Sequence, residues 1–122
     1  MQLIRVTIKG KSFEGHFTNP DVLERYEKAL DTAVEEAKKA NEAENDSAAV
    51  RKQCEAICKC ADTILGEGSS CILFEEGMDL LTCLDVYAEL CEMKEKQIVP
   101  VINEKRAKYS MTRARRENKS IN

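Results

Sequence analysis

The chain has 122 residues, a length that supports one domain with a single hydrophobic core. Charged residues make up 34% of it and aromatic residues only 5%, which favours exposed helices and argues against an all-β fold. The net charge is −3, no apolar run is long enough to span a membrane, and no secretory signal begins the sequence, so we expect a cytoplasmic protein without a membrane partner.

The first predicted element is a β-hairpin. Ile4, Val6 and Ile8 alternate with polar residues, which is the period of a half-buried strand. A two-residue turn at Gly10-Lys11 gives the hairpin a glycine where a positive φ is needed. The register that follows pairs three positions: Ile8 with Phe13, Val6 with Gly15, and Ile4 with Phe17. The lone histidine, His16, then lies on the polar face, where we expect it to be solvated.

The first predicted helix begins at Asn19-Pro20-Asp21, where a capping amide precedes a proline and a carboxylate. It extends to about Ala43, and a polar loop follows it. The apolar positions form a narrow stripe of seven residues: Val22, Leu23, Tyr26, Leu30, Ala33, Val34 and Ala37.

The second predicted helix starts after Asp46 or Ser47 and ends at Gly66 in the left-handed conformation. Its inward residues are Val50, Cys54, Ile57, Cys58, Ala61, Ile64 and Leu65. Ser69 or Ser70 then caps a short helical turn. That turn carries three apolar residues into the core: Ile72, Leu73 and Phe74.

The last predicted helix is capped by Asp79 and kinked at Pro100. Its apolar face comprises Leu80, Leu81, Leu84, Tyr87, Leu90 and Cys91. The fold class is therefore mainly α (α+β), with a short N-terminal β-hairpin packed on a bundle of three to four helices. We divide the chain into a domain at 1–104 and a partly flexible basic extension at 105–122.

No residue set predicts an active site. The six cysteines fit buried, reduced thiols, because Cys54, Cys58 and Cys60 lack the two-residue gap of zinc ligands. The glycine-rich segment at 66–70 lacks the Gly-Lys-Ser/Thr ending of a phosphate-binding loop. We expect no catalytic residues, no metal and no cofactor.

The basic extension carries a charge of +6, whereas the first 104 residues carry −9. Three interpretations stay open: a solvated helix end, a protein-docking segment, or a nucleic-acid-binding segment, the last being the least favoured in a chain of net negative charge. Its basic residues are Lys105, Arg106, Lys108, Arg113, Arg115, Arg116 and Lys119.

Two segments carry a resemblance to a known family. One is the strand, glycine turn and strand Ile4-Arg5-Val6-Thr7-Ile8-Lys9-Gly10-Lys11-Ser12-Phe13. The other comprises Ile64-Leu65-Gly66-Glu67-Gly68-Ser69-Ser70, Leu73-Phe74, Asp79-Leu80 and Leu84-Asp85-Val86-Tyr87-Ala88-Glu89-Leu90. Over roughly the first 95 residues, the chain resembles the small tail assembly chaperones of siphophages and prophages of Firmicutes.

The resemblance implies a non-enzymatic, homo-oligomeric protein of the bacterial host cytoplasm. It would bind the helical tape-measure protein and recruit the tail-tube protein. The apolar stripes nominate partner-contact residues that could equally belong to the core: Leu23, Tyr26, Leu30, Leu84, Tyr87 and Leu90. The alternatives are a structural minor tail or connector component of the virion, and a nucleic-acid-binding phage protein that uses the basic extension.

Overall fold

A computed structural model describes residues 2–121, and the side chains within that range except those of residues 112 and 114–121. It is mainly helical with one antiparallel hairpin, which confirms the predicted fold class. In chain order the elements are β1 (Ile4–Ile8), β2 (Lys11–Gly15), α1 (Pro20–Lys39), a 3₁₀ turn (Ala40–Glu42), α2 (Asp46–Leu65), α3 (Ser69–Leu73), α4 (Leu80–Met93), a π-helical turn (Lys94–Ile98) and α5 (Val99–Ile121).

The hairpin forms, but the predicted register is wrong by two residues. The turn lies at Lys9 and Gly10, whose φ angles of 50° and 75° are both positive, as a type I′ turn requires. Val6 therefore pairs with Phe13, and Ile4 pairs with Gly15. A shift of two keeps every side chain on its face, so the apolar pattern could not distinguish the two registers.

The hairpin is attached to the last helices by side-chain bonds to its backbone. The amide of Gln97 accepts from the Thr7 N–H at 2.6 Å and donates to the Thr7 carbonyl at 2.9 Å. The Glu89 carboxylate accepts from the Lys9 N–H at 3.0 Å. Val6 and Ile8 are completely buried beneath the sheet, so the hairpin forms one wall of the core.

The caps of α1 and α2 are asparagines. As predicted, the Asn19 side chain accepts from two backbone N–H groups at the start of α1. The cap of α2 is Asn45 rather than Asp46 or Ser47, because its side chain accepts from the Ala48 N–H at 2.9 Å. Between the helices, α1 tightens into the 3₁₀ turn instead of continuing to Ala43.

The connection from α2 to α3 is organised by Asp62. Its carboxylate accepts from the Ser70 N–H at 2.8 Å and from the Ser70 hydroxyl at 3.0 Å. Gly66 ends α2 with a φ of 114° and a ψ of 154°, which is outside the predicted left-handed helical region. The residue that caps α3 is Gly68 instead of a serine, and Ile72 is 48% exposed instead of entering the core.

Helix α4 begins at Asp79, as predicted, with the carboxylate accepting from the Leu81 N–H at 2.8 Å. The face that it buries differs from the predicted one. The residues packed in the core are Cys83, Val86, Leu90 and Met93, whereas Leu81, Leu84 and Cys91 are exposed. Only Leu90 of the predicted face is fully buried.

The π-helical turn precedes Pro100. The Val99 N–H donates to the Lys94 carbonyl five residues back, one more than in an α-helix. Pro100 has no N–H to donate, so the wider turn occurs where the α-helical ladder would break in any case. Ile98 within the turn is 1% exposed and fixes the start of α5 to the core.

Candidate partner-binding surface

A groove of about 340 Å³ runs between α1, α2 and α4. Its apolar walls come from Val34 and Ala37 on α1 and from Leu84 and Tyr87 on α4, and the buried Ile57 of α2 also lines it. The remaining lining residues are Ala33, Lys38, Asn41 and Gln53. A groove of this composition suits an amphipathic helix that inserts apolar side chains and leaves its polar face in water.

Helix α4 is apolar on two sides, and only one side is covered. Leu81 is 74% exposed and Leu84 is 48% exposed on the side away from the core. Val34 across the groove and Met78 before the helix are also exposed. Transfer of a leucine or valine side chain from water into an apolar contact is favourable by about 1.5–3 kcal/mol, so this surface can contribute substantial binding energy.

The charge on α4 is entirely negative, because its sequence contains no lysine or arginine. Asp85 and Glu92 are exposed, and each contacts one surface lysine: Asp85 meets Lys9 at 3.4 Å and Glu92 meets Lys96 at 2.7 Å. Exposed pairs of this kind hold their partners weakly. The carboxylates therefore remain available to a basic partner.

The structure separates the six nominated contact residues into three pairs. Leu84 and Tyr87 line the groove together. Leu23 and Leu30 are half-buried, and Leu30 packs against the core. Tyr26 and Leu90 are buried, and the Tyr26 hydroxyl donates a hydrogen bond to the Leu90 carbonyl. These two residues therefore belong to the hydrophobic core.

Val34, Ala37 and Leu81 belong to the surface but were not among the nominated residues. Each lies in an apolar stripe that the sequence shows. The sequence feature that indicates this surface is the number of apolar residues in α4, which is larger than one face can bury and leaves a second apolar face. Sequence periodicity alone did not say which face meets the core.

The basic extension lies on α5. Lys105, Arg106 and Lys108 are exposed, and so is Arg113. Lys108 pairs with Glu104 one helical turn away, at 3.7 Å. The side chains of Arg115, Arg116 and Lys119 lie outside the described residues.

Three cysteines of α2 and α4 are poor nucleophiles. Burial raises the pKa of Cys58 to about 11 and that of Cys60 to about 12, and it also raises the pKa of Cys83. Since the thiolate is the reactive form, these thiols are inert at neutral pH. Among the described residues, no group of three histidine, cysteine or acidic side chains is placed to hold a metal ion.

Tyr87 presents a neutral hydroxyl at the groove. Burial and a hydrogen bond with Cys91 raise its pKa to about 12. The hydroxyl lies 3.5 Å from the Leu30 carbonyl, which is a long contact across the α1–α4 boundary. The tyrosine ring therefore acts as an apolar wall with one polar end.

Within residues 2–121, no helix is both long enough and apolar enough to cross a membrane. The model of a family of unknown function, DUF6673, matches residues 9–120. No curated protein and no solved structure matches the chain.

Proposed function

The chain belongs to the DUF6673 family, and we propose that it is a non-enzymatic phage tail assembly chaperone that binds the tape-measure protein. In this proposal it works in the bacterial host cytoplasm, self-associates, and recruits the tail-tube protein. The single observation that carries the proposal is the apolar groove between α1 and α4, with Leu84 and Val34 exposed at its walls.

The groove fits the chemistry of the proposed partner. A tape-measure protein is long and helical, and its apolar stripe presents residues three and four positions apart. Such a stripe can seat in a groove whose walls are Val34, Ala37, Leu84 and Tyr87. Many copies along one long helix gain affinity by multivalency, so each single contact needs to supply only modest binding energy.

The contact surface lacks features that a catalytic site would use. The thiols of Cys58 and Cys60 on α2 and of Cys83 on α4 have raised pKa values, and the Asp85 and Glu92 carboxylates of α4 are exposed to solvent. These properties support a binding protein rather than an enzyme.

The test is a nuclease-treated pull-down of the tagged full chain from phage-producing cells, with partners identified by mass spectrometry. Val34→Asp places a charge on the groove wall, and Thr32→Asp places the same charge on an exposed position of α1 outside the groove. We expect Val34→Asp to reduce recovery of the tape-measure protein by at least about ten-fold and Thr32→Asp to leave it unchanged.

Two outcomes favour the alternatives. Retention of nucleic acid before nuclease, lost in a Lys105→Glu/Arg106→Glu variant and with no tail protein recovered, would support nucleic-acid binding by the basic extension. Presence of the chain in purified virions would support a structural tail component, since a chaperone leaves before the particle is complete.

A further inference from the structure

The outer side of α4, which carries Leu81, Leu84 and Ala88, adjoins the groove and shares Leu84 with its wall, and we infer that this side pairs with the basic half of α5 from a second copy of this chain. The continuous α4–α5 helices of the two copies would run antiparallel, so that the acidic α4 of each copy lies against the basic α5 of the other. The inference deepens the self-association in the proposed function. Its test uses the purified chain alone, so its failure leaves tape-measure binding unaffected.

The last helical segments of the chain are continuous. The elements α4, π-helical turn and α5 follow one another without a break over residues 80–121. Among the described side chains of α5, Ile102 is the last that packs against the core, and those of residues 103–111 are all exposed. The basic half thus extends beyond its own domain and cannot reach α4 of the same copy unless the helix breaks.

The exposed apolar residues of α4 are spaced as in a helix that pairs with another helix. Leu81, Leu84 and Ala88 are three and four positions apart, and all three are exposed. This is the alternation by which helices pair along a seam. On α5, Ala107 and Met111 are four apart and exposed, with Met111 at 60%.

These two seams match in one antiparallel register. When the pair is centred on residues 96–98, Leu84 comes opposite Met111 of the second copy, and Ala88 comes opposite Ala107. The alanines let the helices approach closely while the larger side chains fill the space beside them.

The charges on the two helices are complementary. Asp85 and Glu92 flank the seam on α4, which has no basic residue, and Lys108 of the second copy falls between them in this register. A parallel pair would instead place acidic α4 against acidic α4, and basic α5 against basic α5. Electrostatics therefore selects the antiparallel arrangement.

The arrangement is closed. Each copy gives its α4 seam to the other and receives the other's α5, so the interface is two-fold and self-complementary. Assembly stops at a dimer unless a different surface takes part.

The first experiment measures the dissociation constant of the full chain by sedimentation equilibrium at low and high salt. Ala88→Arg puts a positive charge in the seam opposite the basic helix, and Thr63→Arg puts the same charge on an exposed position of α2. We expect a wild-type dimer that weakens with salt. Ala88→Arg should raise the dissociation constant at least about ten-fold, and Thr63→Arg should match wild type.

The second experiment is a charge exchange, with circular dichroism to verify helix content. Asp85→Lys and Lys108→Glu should each weaken the dimer, because Asp85 is the exposed α4 carboxylate nearest to Lys108 in this register, and the two together should restore it. A wild-type monomer at all concentrations overturns the inference. So does an oligomer that Ala88→Arg leaves intact, or a double variant no tighter than either single one. Capture of a basic helix from another protein by a monomeric chain would also overturn it.

Discussion

The hydroxyl of Tyr26 on α1 donates a hydrogen bond to the backbone carbonyl of Leu90 on α4, 2.5 Å away and 64 positions later in the chain. A second carbonyl, that of Cys91, lies 3.2 Å from the same hydroxyl. Tyr26 is 4% exposed and Leu90 is completely buried. This bond therefore links the two helices that form the walls of the groove.

Tyr26→Phe should lower the free energy of unfolding by about 1 kcal/mol, because it removes a buried hydrogen bond and leaves the ring in place. Urea denaturation followed by circular dichroism measures the change. Tyr109→Phe is the matched control, since Tyr109 is 68% exposed and should have no effect. Equal stability of the two variants would show that the bond contributes nothing.

Gly15→Ala should destabilise the hairpin end of the core. A Cβ at this position would lie 2.7 Å from the Cζ atom of Phe17, whose ring is 2% exposed and has no room to retreat. Overpacking of this kind costs about 1–3 kcal/mol. Thermal unfolding measures it, with Ser12→Ala on the exposed face of β2 as the control. An unchanged melting temperature would mean that Phe17 moves freely.

Thr82→Val should raise the pKa of Asp79. The Thr82 hydroxyl donates to this carboxylate at 2.7 Å, and this bond is the first cause of a pKa below the ordinary value, followed by the bond from the Thr82 N–H. Carboxyl carbon shifts in an NMR titration report the pKa directly. Thr63→Val is the control, because the Thr63 hydroxyl donates to a carbonyl instead.

The lowered pKa of Asp79 determines how the stability of the folded protein changes with pH. A carboxyl whose pKa is depressed by folding stabilises the protein above its unfolded pKa, and this contribution disappears as the pH falls through the folded pKa. The wild type should therefore lose its stability advantage over Thr82→Val on acidification. An advantage that persists at low pH would assign the effect to the packing of the valine.

Cys60 should resist alkylation until the chain unfolds. Burial raises its pKa to about 12 and excludes the reagent, whereas Cys71 is exposed on α3. Iodoacetamide treatment at mildly alkaline pH, followed by peptide mass spectrometry, should show that Cys71 is modified before Cys60. Denaturant should abolish the difference. Equal rates in the native protein would contradict the placement of Cys60 in the core.

Local signals predicted much of the fold. Asn19 and Asp79 cap their helices as the sequence indicates, since a cap depends only on neighbouring N–H groups. The hairpin register failed because a shift of two preserves the pattern of faces. The caps could be predicted because their partners are adjacent in sequence. The register could not, because two registers share the same pattern of buried and exposed faces.

The candidate partner-binding surface was harder to predict, because it depends on packing between segments that are distant in the sequence. The leucines of α4 lie on more than one face of the helix, so its sequence allows either face to pack against the core. Contact with the hairpin and α2 selected the side that carries Val86 and Leu90. The surface then consisted of the apolar residues that remained, Leu81 and Leu84 among them.

The Gln97 side chain occupies the position that a third strand would take beside β1. By donating to and accepting from the Thr7 backbone, it satisfies the pair of groups through which a foreign strand would add to the sheet. Glu89 does the same for the Lys9 N–H. The Thr7 and Lys9 end of the β1 edge is therefore closed to a foreign strand, which removes a site for edge-to-edge growth into aggregates.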